Sequence, residues 1–215
     1  RQGNSTGFTN YFTIFTGVSG IFKQGLALGP FTFSERGDEL PALTRDYLGG
    51  ESSVAGVAAG QTLAGKTWQQ VGIDGRTMFD FNTLGIGQAY SVCYLYTEAF
   101  SPTARSVSLK VGSDDSIRVW LNGTLVHSNY VFRGAGVDQD VINVNLQAGT
   151  NRLLFKVLND IWGFDLFARI TGVNSNVGMS DLVYYPVANP PPGAASNPSP
   201  ADGAGGVGLD ADLSW

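Results

Sequence analysis

The sequence predicts an all-β protein, an antiparallel β-sandwich with extended N- and C-terminal segments. Three observations carry this. Apolar and polar residues alternate in short runs between Val107 and Ile170, which is the period of a half-buried strand. Turn residues stand between those runs. Helical signatures are few, since Ala58 to Leu63 is too short and glycine-bounded to count for much.

Residues 1–25 are rich in Gly, Thr and Phe. Phe12, Ile14 and Thr16 alternate with Thr13 and Phe15, which predicts a strand with apolar groups on both faces. Such a segment has to pack on its own sandwich or on a neighbouring molecule. Residues 26–185 form the sandwich body. Ile117, Val119 and Leu121 point one way, and Arg118 and Trp120 the other. Asn122-Gly123 follows at once, and both residues tolerate the positive φ of a tight hairpin turn. Ile142, Val144 and Leu146 alternate with Asn143 and Asn145, and Ala148-Gly149-Thr150-Asn151 then turns into Leu153, Phe155 and Val157. Phe164, Leu166, Ala168 and Ile170 close the series. Residues 186–206 are a Pro/Gly/Ala linker unable to bury enough surface to fold alone, and residues 207–215 read as a strand without a sheet of its own.

A chain of 215 residues, 43% hydrophobic and only 14% charged, is long enough for one large sandwich with a full core. Its net charge of −5 and its scattered Lys and Arg exclude nucleic acid, which demands clustered cations. The single cysteine, Cys93, rules out an internal disulfide and reads as a buried, inert thiol. No run of ~20 apolar residues predicts a membrane span. The start at Arg1, without Met or signal peptide, reads as a piece of a longer exported protein.

Catalytic machinery is thin. One histidine, His127, leaves no HExxH zinc site, and its place after a hairpin turn reads as surface or packing rather than part of a triad. Glu35, Glu39, Glu51 and Glu98 have no spacing that pairs any two as glycosidase carboxylates. A non-enzymatic protein is therefore expected.

The order GSDDSIRVWLNG, VNLQAGTNRLLFKVLN, WGFDLFARI resembles the jelly-roll carbohydrate-binding-type modules of secreted glycoside hydrolases. More distantly it is similar to the lectin-like β-sandwich of protective antigen and yeast adhesins. LALGPF and DYLGGE are similar to the opening of the same modules, so the resemblance covers about residues 26–172. The ending NPSPADGAGGVGLDADLSW resembles the start of a fibronectin type III-like module. The resemblance implies a jelly-roll sandwich, an extracellular or cell-surface location and a glycan or polysaccharide partner. In the protective-antigen-type lectins an Asp-Asp turn comparable to Asp114-Asp115 holds calcium, which holds sugar hydroxyls. Asp160, with Asn159 beside it, is the candidate source of further oxygens. Two turn carboxylates suit a cation that takes about six to eight oxygens. The other reading is that both aspartates shape a β-turn by bonding nearby amides.

Sugar rings stack on exposed aromatic faces, so Trp162, in the turn NDIWG, is the leading candidate for carbohydrate contact. Tyr130, Phe132 and Arg133 occupy a Gly-rich segment suited to a binding loop, and Trp120 faces away from the Ile117 stripe. Each aromatic could equally be core or cap packing. Two functions follow. The first is a non-catalytic extracellular module that binds carbohydrate through Trp162, Tyr130, Arg133, Trp120 and Asn159, with Asp114, Asp115 and Asp160 as metal candidates. The second is a structural subunit of a filament or surface layer, joined to identical subunits by addition of terminal strands.

Overall fold

A computed structural model describes residues 18–34, 36–73 and 77–185. The first long strand, β1 (Gln24–Thr32), is followed by the helix α1 (Glu39–Thr44) and a 3-10 turn at Glu51–Ser53. Short strands come next: β2 (Thr62–Leu63), β3 (Lys66–Thr67), β4 (Gln69–Gly72) and β5 (Phe79–Asp80). Then come β6 (Ser91–Ser101), β7 (Arg105–Ser113), β8 (Ser116–Leu121), β9 (Thr124–Asn129) and β10 (Asp140–Leu146). β11 (Gly149–Asn159), β12 (Asp165–Thr171) and β13 (Val183–Tyr185) complete the described chain.

These strands form two main sheets, and every strand pairing in them is antiparallel. The larger runs β4-β1-β6-β11-β8-β9, with β13 continuing along the edge of β6 that β1 occupies. The smaller runs β10-β7-β12-β5. The predicted all-β antiparallel sandwich is the observed fold. Asn122 and Gly123 both have positive φ, +51° and +86°, and join β8 to β9 as a hairpin. A Cβ on Gly123 would meet the Ser52 carbonyl at 2.3 Å, so the turn also needs glycine for close approach. The turn at Gly149 does something different: β10 pairs with β7 and β11 with β6, so the chain crosses there from one sheet to the other.

Alternation places Ile117, Val119, Leu121, Cys93, Leu95, Phe155 and Val157 in the core between the sheets. The opposite face of the larger sheet is not solvated. Val92, Tyr94, Tyr96, Trp120, Leu154 and Leu158 form a second core beneath the connection from β1 to β4, which contributes Ala42, Leu43, Leu48, Val57 and Trp68. β6 is therefore buried on both faces, as its apolar run YSVCYLY requires. Cys93 is buried as expected, and burial pushes its thiol pKa up.

Part of the N-terminal extension, residues 18–25, packs on the sandwich. Phe22 is fully buried against Phe155 and Tyr184, with ring centroids 6.1 and 4.7 Å away, and Ile21 bridges to Arg169. Residues 18–25 thus belong to the sandwich, because its core needs an aromatic at that end. The strand expected around Phe12 to Thr16, the linker 186–206 and the strand 207–215 lie outside the described residues. So does the exchange of terminal strands between subunits. No helix among the described residues is long and apolar enough to cross a membrane.

The second core contains a fully buried lysine. Lys156 Nζ donates to Glu51 Oε1 at 2.9 Å and to the Arg45 carbonyl at 2.5 Å, with its side chain 0% exposed. Tyr94 donates its hydroxyl to the same Glu51 oxygen at 2.6 Å. The ammonium also lies 5.1 Å from the Tyr47 ring and 5.6 Å from the Tyr94 ring. Burial lowers the Lys156 pKa, and Glu51 opposes the shift. These contacts fasten the covering segment to β6 and β11. Lys156→Ala is expected to cost about 3–5 kcal/mol in urea unfolding by stranding buried Glu51. Lys156→Met with Glu51→Gln should recover most of that loss. A single-variant cost below about 1 kcal/mol would show that the pair does not fasten the cover.

Candidate functional site

Three loops meet at one end of the sandwich: the β7–β8 turn, residues 130–134, and the β11–β12 loop. Together with residues 36–39 they enclose a cleft of about 810 Å³. Asp115 holds the loops together. Its Oδ1 accepts the Arg133 amide at 3.1 Å and its Oδ2 accepts the Asp160 amide at 2.9 Å. Its main-chain oxygen accepts the Ser113 hydroxyl at 2.6 Å. The turn is anchored to both sheets, since the Asp114 amide donates to Asp165 at 3.0 Å and the Asp115 amide to Leu158 at 2.8 Å. The Asp114-Asp115 peptide is cis.

Asp114 is different from its neighbour. Among the described residues no hydrogen bond reaches its carboxylate. Burial, followed by the charges of Asp115 and Asp165, pushes its pKa up to about 6. A Cβ on Gly163 would meet Asp114 Oδ2 at 2.2 Å, so only glycine there leaves room for the carboxylate. Asp160 faces the same space. Its Oδ2 accepts from Arg36 Nη2 at 2.6 Å, while its buried Oδ1 has no hydrogen-bond partner. Glu39 lines the cleft with its Oε2 on the Gly37 amide at 2.8 Å, and its buried Oε1 is likewise unpartnered.

Aromatic side chains form the rim. Trp162 is 86% exposed and has φ +72°, and its carbonyl accepts from Asn82 Nδ2 at 2.8 Å. Phe132, 55% exposed, lies among the residues lining the same cleft. Tyr130 packs edge-on against Phe132 with ring centroids 5.5 Å apart, and Glu39 and Asp160 act electrostatically on its hydroxyl. Tyr130 therefore stands at the margin. Arg133 lines the cleft, but its guanidinium is committed to Asp140 through Nη1 at 3.2 Å and Nη2 at 2.5 Å. The lone histidine, His127, has Nε2 3.2 Å from Asp140 Oδ2, which places it in this structural cluster.

Two expected contact residues are corrected. Trp120 is buried in the second core, with the Arg118 guanidinium 5.2 Å from its ring, because the covering segment occupies the face that alternation left open. Asn159 is 1% exposed and does not line the cleft; its Nδ2 donates to the Gln88 carbonyl at 3.1 Å. Its role is to hold the loop from behind. Arg36, Gly37, Glu39 and Asn82 were not foreseen. They reach the site from distant segments, and no local pattern marks them.

The donor set suits a hard cation in kind. Asp114, Asp115 and Asp160 present oxygens only, and Asp160 Oδ1 is a buried acceptor without a donor. Among the described residues no three acidic, histidine or cysteine side chains converge as a metal-holding group. As they stand, the three aspartates do not by themselves make up a calcium shell.

No protein-family model and no curated protein sequence matches the chain. Among solved structures, an anti-sigma factor domain-containing protein is similar at 15% identity and TM-score 0.45, over 79% of this chain and 50% of that one. An anti-sigma factor domain-containing protein from Clostridium clariflavum has 12% identity and TM-score 0.43, over 81% and 51%. The PA14 domain of the MpAFP antifreeze protein has 12% identity and TM-score 0.39, over 87% and 93%. The chain spans about half the length of the first two.

Asp114 makes stability depend on pH. The folded protein holds its proton more tightly than the unfolded chain, where the pKa is near 3.8, so stability falls as pH rises from there to about 6. Asp114→Asn is expected to remove that slope and to gain about 1 kcal/mol at pH 7, after discounting for a half-exposed group. Urea unfolding of both proteins across this range checks it; an unchanged slope refutes the assignment.

Proposed function

We propose that this chain is a non-catalytic carbohydrate-binding module of an exported or cell-surface protein, with the cleft at the Asp114-Asp115 turn as its ligand site. One observation carries the reading: exposed Trp162 and Phe132 line one cleft together with the carboxylates Glu39, Asp114, Asp115 and Asp160. A sugar offers the matching chemistry. Its CH-rich face stacks on an aromatic ring, and its hydroxyls donate to carboxylate oxygens. Trp162 is the stacking platform, Phe132 and Tyr130 support the ring from the opposite side, and Asp160 and Glu39 accept hydroxyls.

A calcium ion would need oxygens beyond those of Asp114, Asp115 and Asp160, which do not converge as a metal-holding group among the described residues, and would supply a positive centre for vicinal hydroxyl oxygens. Asp115 has the further task of fixing the three loops whether or not metal is present. Its two bonds to main-chain amides leave each oxygen a second lone pair for a ligand.

Affinity electrophoresis against a panel of soluble polysaccharides, with calcium or with chelator, tests the reading. At least one polysaccharide should retard the wild type, and Trp162→Ala should weaken retardation by about tenfold or more. The same variant should unfold at an unchanged urea concentration, because its side chain is already in solvent. No retardation by any member, or equal retardation of Trp162→Ala, would sink the proposal. Equal retardation with and without chelator would remove calcium and leave the aromatic cleft standing.

A further inference from the structure

The charges around the cleft do not balance. Glu39, Asp114, Asp115 and Asp160 line it, against the guanidiniums of Arg36 and Arg133. Arg133 is already committed, since both of its terminal nitrogens hold Asp140, outside that lining. Arg36 bonds Asp160 through one nitrogen, at 2.6 Å, from a side chain that is 69% exposed. The opening is therefore acidic.

Two of its carboxylates keep an acceptor in reserve. Glu39 is 2% exposed and Asp160 is 5% exposed, and both line the cleft. Glu39 Oε2 accepts the Gly37 amide and Asp160 Oδ2 accepts from Arg36, while Glu39 Oε1 and Asp160 Oδ1 have no hydrogen-bond partner. Both side chains act electrostatically on Asp115 and on the Tyr130 hydroxyl, so the two oxygens share one neighbourhood.

An ionised carboxylate only accepts, so whatever meets these oxygens must donate. A hydroxyl gives one hydrogen and leaves the negative charge standing. An ammonium offers three and cancels the charge, and ionic hydrogen bonds are roughly twice as strong as neutral ones. The rim favours the same ligand. Trp162 and Phe132 are exposed on the cleft, and the face of an aromatic ring attracts a cation within about 6 Å of its centre. A carboxylate or sulfate on the ligand would face four acids instead.

We infer that the cleft selects amino sugars: the glycan it binds carries protonated amino groups, as a de-N-acetylated glucosamine polymer does. The inference deepens the carbohydrate reading above and rests on it. The sugar ring stacks on Trp162, and its ammonium donates to Glu39 Oε1 or Asp160 Oδ1. N-acetylation abolishes the preference, because an amide brings one hydrogen and no charge.

Isothermal titration of the whole chain with three hexasaccharides of the same linkage provides the test. They are built from glucosamine, N-acetylglucosamine and glucose, in mildly acid buffer that keeps the amino groups protonated. The glucosamine oligomer should bind about tenfold more tightly than either neutral one. Glu39→Gln and Asp160→Asn remove charge at nearly constant shape, and each should lower that preference severalfold. Glu39→Gln can still accept the Gly37 amide, which keeps the test available if Asp160→Asn does not fold. Trp162→Ala should weaken all three oligomers. Asp181→Asn, outside the cleft lining on the surface pair with Arg105, should leave the preference unchanged. Equal affinity for the three oligomers overturns the inference and leaves the carbohydrate reading intact. A preference lowered as much by Asp181→Asn as by Glu39→Gln overturns it in favour of general attraction between a polycation and a chain of net charge −5. A preference that survives both Glu39→Gln and Asp160→Asn overturns the assignment to these carboxylates. No heat with any oligomer overturns the inference outright, while the polysaccharide panel decides the carbohydrate reading separately.

Discussion

The buried pair of Lys156 and Glu51 is the contact on which the arrangement of this molecule depends. A two-sheet sandwich ordinarily leaves the outer face of each sheet in water. Here the larger sheet carries Tyr94, Tyr96 and Trp120 on that face, and they must be covered. The cover is the long connection from β1 to β4, whose only helix is the six-residue α1. Apolar contact alone gives such a segment little register. The ammonium of Lys156, sitting beneath it at the end of a strand side chain, can be satisfied only where Glu51 and the Arg45 carbonyl arrive together. Buried charge is a poor source of net stability but a strong source of uniqueness when one arrangement satisfies it.

That fixed register reaches the cleft. Arg36 and Glu39 precede the fastened residues by only a few positions, and α1 lies over β11 and β8. The wall they form is held from two sides, by the contact in the second core and by the Arg36 bond to Asp160 in the cleft. The other walls are placed by Asp115, which spends both carboxylate oxygens on amides of neighbouring loops. The two adjacent carboxylates thus differ: Asp115 binds neighbouring loops, while no hydrogen bond among the described residues reaches that of Asp114.

This division explains what could be read from the chain in advance. The strands β8 and β10, the hairpin at Asn122-Gly123 and the burial of Cys93 follow from period-2 alternation and turn chemistry, which are local. Trp162 was legible because a tryptophan in a Gly-flanked turn has few core positions open to it. Trp120 was not, since alternation states which face a residue takes and not whether that face is covered. The cover is written in residues 36–68, far from β8, and its helix is too short to show a period. Asn159 misled for a similar reason: beside Asp160 in sequence, it points behind the loop while its neighbour points into the cleft.

Unsatisfied groups are the final thread. Some buried charges are closed into forks, as Arg169 with Asp138 and Arg133 with Asp140 show. Others are not: Arg105 Nη2 and Arg118 Nε are buried nitrogens without a partner. Asp160 and Glu39 each keep a buried oxygen without a donor, and Asp114 stays half-buried beside two other acids. Each such group costs about 1–3 kcal/mol that a donor would return. Asp115 makes the turn's side-chain connections, and the main-chain amides of both Asp114 and Asp115 add theirs to Asp165 and Leu158.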